Sequence, residues 1–448
     1  MAVLLTLAAC ADERLITTTT IAAPATGAPP TTEPPHLEIA DCKTPPVTFS
    51  AMCEVYDLLQ EWHVDRPLDP SDLAVMATDA LRTTESAGHL SGFLQCAIPD
   101  PAFAEFCTTL GEVGGETAAD QGRLVDAALV AMVENALGPF TYYVPPGEVP
   151  HVRDDGVVGG IGVILDARDA AGSRCARLAP ACPLEIIYVL ADAPAAEAGV
   201  EVGDVIVEMD GAAVAGLGFA AASRLLAGDE TGTISLTIDR GGSSLDIVIH
   251  REPVTGGVVE LALPLADVGY LRIPDFSEDI PGLVHEGLTA LAEHSPDLVM
   301  IDLRDNGGGL LDAAIEVASE FIPDGSVVQL VSPEGEIVEV AGPDGLAHQP
   351  ALIVLVNRGT ASAAEIVAGA LRDRRGATIV GEATFGKDSV QIPFDLRNGG
   401  RLYVVVARWT TPEGHTVAED GLSPDIELDL GTNLTIEDLT GLVLEAAG

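Results

Sequence analysis

Lysine is almost missing from this 448-residue chain: Lys43 and Lys387 are the only two, and every other basic side chain is arginine. Basic residues of both kinds number 22 against 69 Asp and Glu, a formal charge of -47. So acidic a surface repels phosphate backbones and anionic headgroups, which counts against nucleic acid and against a basic membrane-docking patch. It reads as a solvated, highly soluble surface. The cysteines contain no CxxC spacing, so zinc-ribbon and dithiol redox motifs are missing, and neither a metal site nor a cofactor is expected. Against this background Lys387, deep in the C-terminal half, needs an explanation.

The apolar opening Met1–Cys10 is too short to cross a bilayer and has no basic residue before it. Leu7-Ala8-Ala9-Cys10 nevertheless resembles the lipobox of bacterial lipoproteins, which implies a signal peptide over residues 1–10 and lipidation of Cys10. Residues 11–41, with Thr17–Thr20 and Pro29-Pro30, read as a Thr/Pro-rich tether. The expected location is extracytoplasmic, with the lipid as the sole membrane attachment. Six further cysteines suit an oxidising compartment, and of 15 connectivities nearest-neighbour pairing is expected: Cys42–Cys53, Cys96–Cys107 and Cys175–Cys182.

With 47% hydrophobic residues the chain can bury a large core, and its length suggests about three folded units. Residues 42–150 carry apolar side chains at helical spacing, as in Val55, Leu58, Leu59 and Trp62, and read as a helical N-terminal domain. Residues 151–255 read as short strands between glycine turns, with one helix near Phe219–Leu226. Residues 256–448 alternate continuous apolar runs, such as 297–303 and 351–356, with amphipathic helices, as βα units around a buried sheet do. The expected class is multidomain α+β: a helical N-terminal segment, a strand-rich β-domain and an α/β core of βα units.

Ser362 follows the strand 351–357 and the turn Arg358–Thr360, at the start of a helix running through Glu365, Ile366 and Leu371. Unpaired amides and a positive dipole end there would stabilise an oxyanion beside the hydroxyl. A serine needs a base to take its proton, and a buried lysine with a depressed pKa can be one. Lys387 precedes a strand-like stretch whose alternation puts Lys387, Ser389 and Gln391 on one face, so Gln391 can orient the amine. Each residue alone has an ordinary reading, an N-cap for the serine and a solvated charge for the lysine.

Three motifs lift the pair above that reading. Thr360-Ala-Ser-Ala-Ala-Glu365, Thr384-Phe-Gly-Lys-Asp-Ser-Val-Gln391 and Asp302-Leu-Arg-Asp-Asn-Gly-Gly-Gly309 resemble, in order and separation, those of the C-terminal processing (tail-specific) peptidases. The resemblance spans residues 52–430 and includes Thr411–Gly414 and Gly421–Asp425. It implies a serine endopeptidase with Ser362 as nucleophile, Lys387 as general base, Gln391 as its partner, and the amides of Gly308 and Ala363 as the oxyanion hole. Gly307 departs from the family pattern, which usually has proline there. The strand order of 157–252 resembles a bacterial protease-type PDZ domain, implying that the loop Gly160-Ile161-Gly162-Val163 receives the free C-terminus of a protein or peptide substrate. The alternative is a non-catalytic PDZ binder or assembly scaffold on the same fold. A P-loop fits Gly381–Lys387 but fails at Asp388 and at the strand-like run after it, and His415 reads as a surface-loop residue rather than part of a triad.

Overall fold

The computed structural model describes residues 39–43, 47–83, 95–113, 118–147, 158–254 and 259–447, except 99, 176, 190–192, 228–231, 341–344, 347–348, 419 and 431–433. Cys10 and most of the expected tether lie outside these. Among the described residues no helix is long and apolar enough to cross a membrane.

The N-terminal helices Val47–Trp62, Pro70–Thr83, Ala104–Val113 and Ala118–Leu137 bury Phe49, Met52, Leu59, Leu73, Phe106 and Leu129 between them. This core is not closed by helices alone. Leu396, Leu402 and Val404, from the C-terminal part of the chain, belong to it. The strand Tyr142–Val144 pairs with Arg401–Thr410, so the N-terminal segment adds an edge to an antiparallel sheet of the C-terminal half.

The middle of the chain forms a seven-stranded sheet. Its turns bracket Val158–Gly160, Val163–Asp166, Leu184–Val189, Val205–Met209, Gly232–Arg240 and Ser243–Val254, with the helix Phe219–Ala227 between the fourth and fifth of these. Alternate residues of the longest pair, Ile234, Leu236, Ile238 and Ile249, turn inward onto Leu184, Ile186 and Ile206. Val163–Asp166 pairs with Leu184–Val189 and ends the sheet order, leaving an edge.

The C-terminal half holds two sheets where the sequence suggests one. The first runs Glu260–Leu265, Val268–Arg272, Leu298–Asp302, Ala351–Val356, Thr378–Gly381, Ile426–Glu427, parallel from the second strand onward. Its apolar runs serve two faces: Val299, Ile301, Leu352 and Val354 meet the helices Ile280–Ala292, Leu311–Phe321 and Ala363–Arg375, while Met300, Ile353, Leu355 and Val380 meet Ile436–Ala447. Burial on both sides explains why these strands do not alternate in polarity. The second sheet is antiparallel and joins Gly335–Val340, Ser326–Ser332, Arg401–Thr410 and Ser389–Asp395. It carries the segment that follows Lys387.

Two disulfides join described cysteines as expected: Cys42–Cys53 with Cα atoms 5.3 Å apart, and Cys175–Cys182 at 6.4 Å. Cys107 is also disulfide-bonded. The Cys96 side chain lies outside the described residues.

Candidate active site

The parallel strands Leu298–Asp302 and Ala351–Val356 are neighbours, so the loops leaving their carboxyl ends, 303–309 and 357–362, meet above the sheet. Open α/β sheets bind ligands at this edge. Several bonds knit the two loops. Ala361 N donates to Asn306 O at 2.9 Å, Thr360 Oγ1 to Leu303 O at 2.8 Å, and Asp305 N to Asn357 Oδ1 at 2.9 Å.

Ser362 caps the helix Ala363–Arg375, as its sequence position suggests, with a φ of 55° that non-glycine residues rarely adopt. Such strain costs about 1–3 kcal/mol and persists only where the surroundings impose it. Here the turn from strand to helix imposes it and leaves the side chain half-buried rather than packed. Gly308 lies directly against this turn. With φ at +102°, it places its missing Cβ 2.9 Å from Ser362 Cβ and 3.1 Å from Ala363 N. No side chain fits there. The Ala363 amide is the first of the helix, whereas Gly308 N donates to Asn306 Oδ1 at 2.9 Å and is already engaged. Gly307 is exposed, and nothing stands within 4 Å of where its Cβ would be.

Lys387 precedes the strand Ser389–Asp395, and its Nζ donates to Gln391 Oε1 at 2.9 Å. Gln391 Nε2 in turn donates to the carbonyl of Phe140, in the connector after the N-terminal helices, and the amine lies 5.5 Å from the Phe140 ring centroid. Desolvation lowers the Lys387 pKa to about 8, with Glu365 opposing and Arg174 reinforcing that shift. Ser362 and Lys387 share no hydrogen bond in this structure.

Glu365 joins them instead. It is fully buried, and its Oε2 accepts from Ser362 N at 2.8 Å and Lys387 N at 2.9 Å. Its Oε1 accepts from Gly386 N at 2.7 Å and Thr384 Oγ1 at 2.5 Å. Four donors on one carboxylate offset much of the cost of burying it. Trp409 Nε1 adds a bond to Lys387 O at 3.0 Å from the neighbouring strand. Leu422 N donates to Thr384 Oγ1 at 2.6 Å, and Asp425 holds Ile379 N at 2.8 Å, which brings the 421–425 motif in behind the lysine loop.

The β-domain reaches the same loop. Arg174 donates to the carbonyls of Phe385 and, at 2.9 Å, Gly386, and its guanidinium lies 3.7 Å from the Phe385 ring centroid. Arg168 donates to Phe385 O at 3.0 Å, and both arginines pair with the buried Asp166. Ile164 and Phe140 pack against a small cluster of Ile187, Ala361 and Phe385. The expected carboxylate loop has Ile161 buried, its carbonyl accepting Ala195 N at 2.9 Å, and Gly162 at φ 76° before the edge strand starts at Val163.

The sequence reading passed over Glu365, Phe140, Arg168 and Arg174. Glu365 had a local signal, since Ser-x-x-Glu at a helix start is a capping-box pattern. The others act from more than 200 positions away and leave no signal along the chain. His415 lies 3.9 Å from Asp373, which is eleven residues or roughly 16 Å along the helix from Ser362. With Glu413 these form the one group of three potential metal-ligating side chains among the described residues.

A profile of Peptidase family S41 matches residues 267–428, and one of the PDZ domain matches 185–240. The chain is 33% identical over 311 residues to the chloroplastic C-terminal processing peptidase of Tetradesmus obliquus, covering 65% of each chain. It is 33% identical over 306 residues to the carboxyl-terminal-processing protease of a Synechocystis species, covering 66% of this chain and 69% of that one. The chain thus spans about two thirds of the length of these relatives. A photosystem II D1 C-terminal processing protease superposes with a TM-score of 0.61 at 27% identity, covering 83% of this chain and 96% of the other. With its strained serine turn, half-buried lysine and three motifs in family order, the chain belongs to peptidase family S41, among the C-terminal processing peptidases.

Proposed function

We propose that this protein is a serine endopeptidase that cleaves extracytoplasmic proteins under the direction of their C-terminal tails, with Ser362 and Lys387 as its catalytic dyad. The observation that carries the reading is the shared Glu365 Oε2, which ties the serine turn and a lysine of depressed pKa to one buried point. Neutral Lys387 takes the Ser362 proton as Oγ attacks the scissile carbonyl. The resulting ammonium then protonates the departing amine. A water repeats the sequence on the acyl-enzyme and releases the new C-terminus and Ser362. At pH 7 and a pKa of about 8, about a tenth of the lysine is neutral in the resting enzyme.

The oxyanion falls to the amides of Ala363 and Gly308. For Gly308 to donate, its N–H must leave Asn306 Oδ1, and the open space around Gly307 permits that turn. Ser362 and Lys387 must also come into hydrogen-bonding reach, so the structure is read as a resting form.

The edge strand Val163–Asp166 and the Gly160–Val163 loop are the proposed site for the substrate tail, taken up as an added strand. Arg168 and Arg174, on the same module, hold the peptide carbonyls just before Lys387, which supports a link between tail binding and the dyad. Amidating the substrate C-terminus should weaken binding, and equal rates would remove carboxylate capture. The disulfides fit an oxidising compartment, and lipidation at Cys10 remains part of the proposal.

The deciding assay follows cleavage of an unstructured polypeptide with an apolar C-terminus by wild type and Ser362→Ala. Loss of cleavage in the variant supports the dyad, whereas equal cleavage by both sinks it. No cleavage by wild type favours the non-catalytic binder.

A further inference from the structure

We propose that the hydroxyl of Ser389 is a positioning group for Lys387, the second acceptor that turns the lysine lone pair toward Ser362. The inference rests on the dyad reading. Ser389 is only 7% exposed, and its Oγ has no hydrogen-bond partner in this structure. Buried hydroxyls nearly always find one, so an orphan two residues along the chain from the proposed base invites a functional account.

Its place in the strand gives that account. Ser389 pairs with Arg408 and Gln391 with Val405, and the irregularity between them puts the extra residue, Val406, on the partner strand. Ser389–Asp395 therefore alternates without interruption, and Ser389 and Gln391 face the same side. Gln391 meets the Lys387 amine on that side.

The chemistry of the amine supplies the need. A neutral lysine has two N–H bonds and one lone pair; to accept the Ser362 proton it must give both N–H bonds to other acceptors. Gln391 Oε1 takes one. Gln391 Nε2 is a donor committed to Phe140 O, and the Glu365 oxygens are filled by four other donors, so neither supplies the second acceptor. Ser389 Oγ has its acceptor capacity unused. When Lys387 swings from its resting contact toward Ser362, the Ser389 hydroxyl rotates to receive the second N–H. It keeps that bond to the ammonium formed on proton transfer.

Kinetics of Ser389→Ala and Ser389→Thr over pH 6–10 test this, on the same unstructured substrate and beside Lys387→Ala. Ser389→Ala should lower kcat about 10- to 100-fold with KM little changed. Because an acceptor stabilises the charged amine, its loss should also move the acid limb of the rate profile to lower pH. Ser389→Thr keeps the hydroxyl and should keep the wild-type limb. A Ser389→Ala enzyme with wild-type kcat or an unmoved limb overturns the proposal, as does a Thr variant whose limb moves as far as that of Ala. Activity in Lys387→Ala would instead overturn the dyad itself, so the two failures are separable.

Discussion

The carboxylate of Glu365 accepts the backbone N–H of Lys387 at 2.9 Å, and the same oxygen accepts that of Ser362 at 2.8 Å. A residue on the serine helix thus anchors the lysine loop through its main chain, while the lysine amine is held separately by Gln391. The negative charge of Glu365 also opposes, without overcoming, the effect of burial on the lysine amine.

Glu365→Gln offers one carbonyl oxygen where the carboxylate has two. The amide NH2 must then face a pair of donors that includes at least one fixed backbone N–H. An unsatisfied buried donor costs about 1–3 kcal/mol. Thermal denaturation should show a lowered Tm, and kcat should fall at least about tenfold as the two loops lose register. An unchanged Tm would contradict the anchoring role.

As the proposed base, Lys387 must be neutral, and burial sets its pKa at about 8. Activity should therefore climb tenfold per pH unit below that value and level off above it. Lys387→Ala and Lys387→Arg should both retain less than about 1% of kcat, because arginine does not deprotonate. A flat rate between pH 6 and 9 would argue against a lysine base.

Arg174 lowers the lysine pKa by its positive charge and packs over Phe385. Arg174→Ala removes a like charge and opens the loop to water, and both changes favour the ammonium. The acid limb should move to higher pH, opposite to the shift expected for Ser389→Ala. Rate profiles of the two variants in one buffer series check the signs.

Gly307 and Gly308 should answer alanine substitution differently. A Cβ at Gly308 would stand 2.8 Å from Ala361 O and 2.9 Å from Ser362 Cβ, at a φ of +102°. Gly308→Ala should cost about 100-fold or more in kcat by displacing the serine turn. Gly307→Ala meets nothing within 4 Å and should keep the fold and most of the activity. Equal losses in both would mean that loop flexibility, rather than the contact with Ser362, is what matters.

Much of the site was legible along the chain because its parts are local. Ser362 lies at a strand-to-helix turn, and Lys387 reaches Gln391 within four residues. The helix start and the strand alternation that orient them are read from neighbours in sequence. The three-part α+β organisation was legible for the same reason, since apolar periodicity of 3.6 or 2 follows from the backbone.

What only the tertiary structure decided is which distant groups close around those residues. The lysine segment belongs to a separate antiparallel sheet, edged by Tyr142–Val144, rather than to the parallel sheet of the serine. Phe140 O, Arg168 and Arg174 arrive from other modules, and Gly308 N is occupied by Asn306. Periodicity says which face of an element is buried but not against what, because cross-module hydrogen bonds depend on how whole layers stack. The sequence alone singled out Ser362 and Lys387; the packing set the lysine's pKa and left the Ser389 hydroxyl, two residues on, buried without a partner.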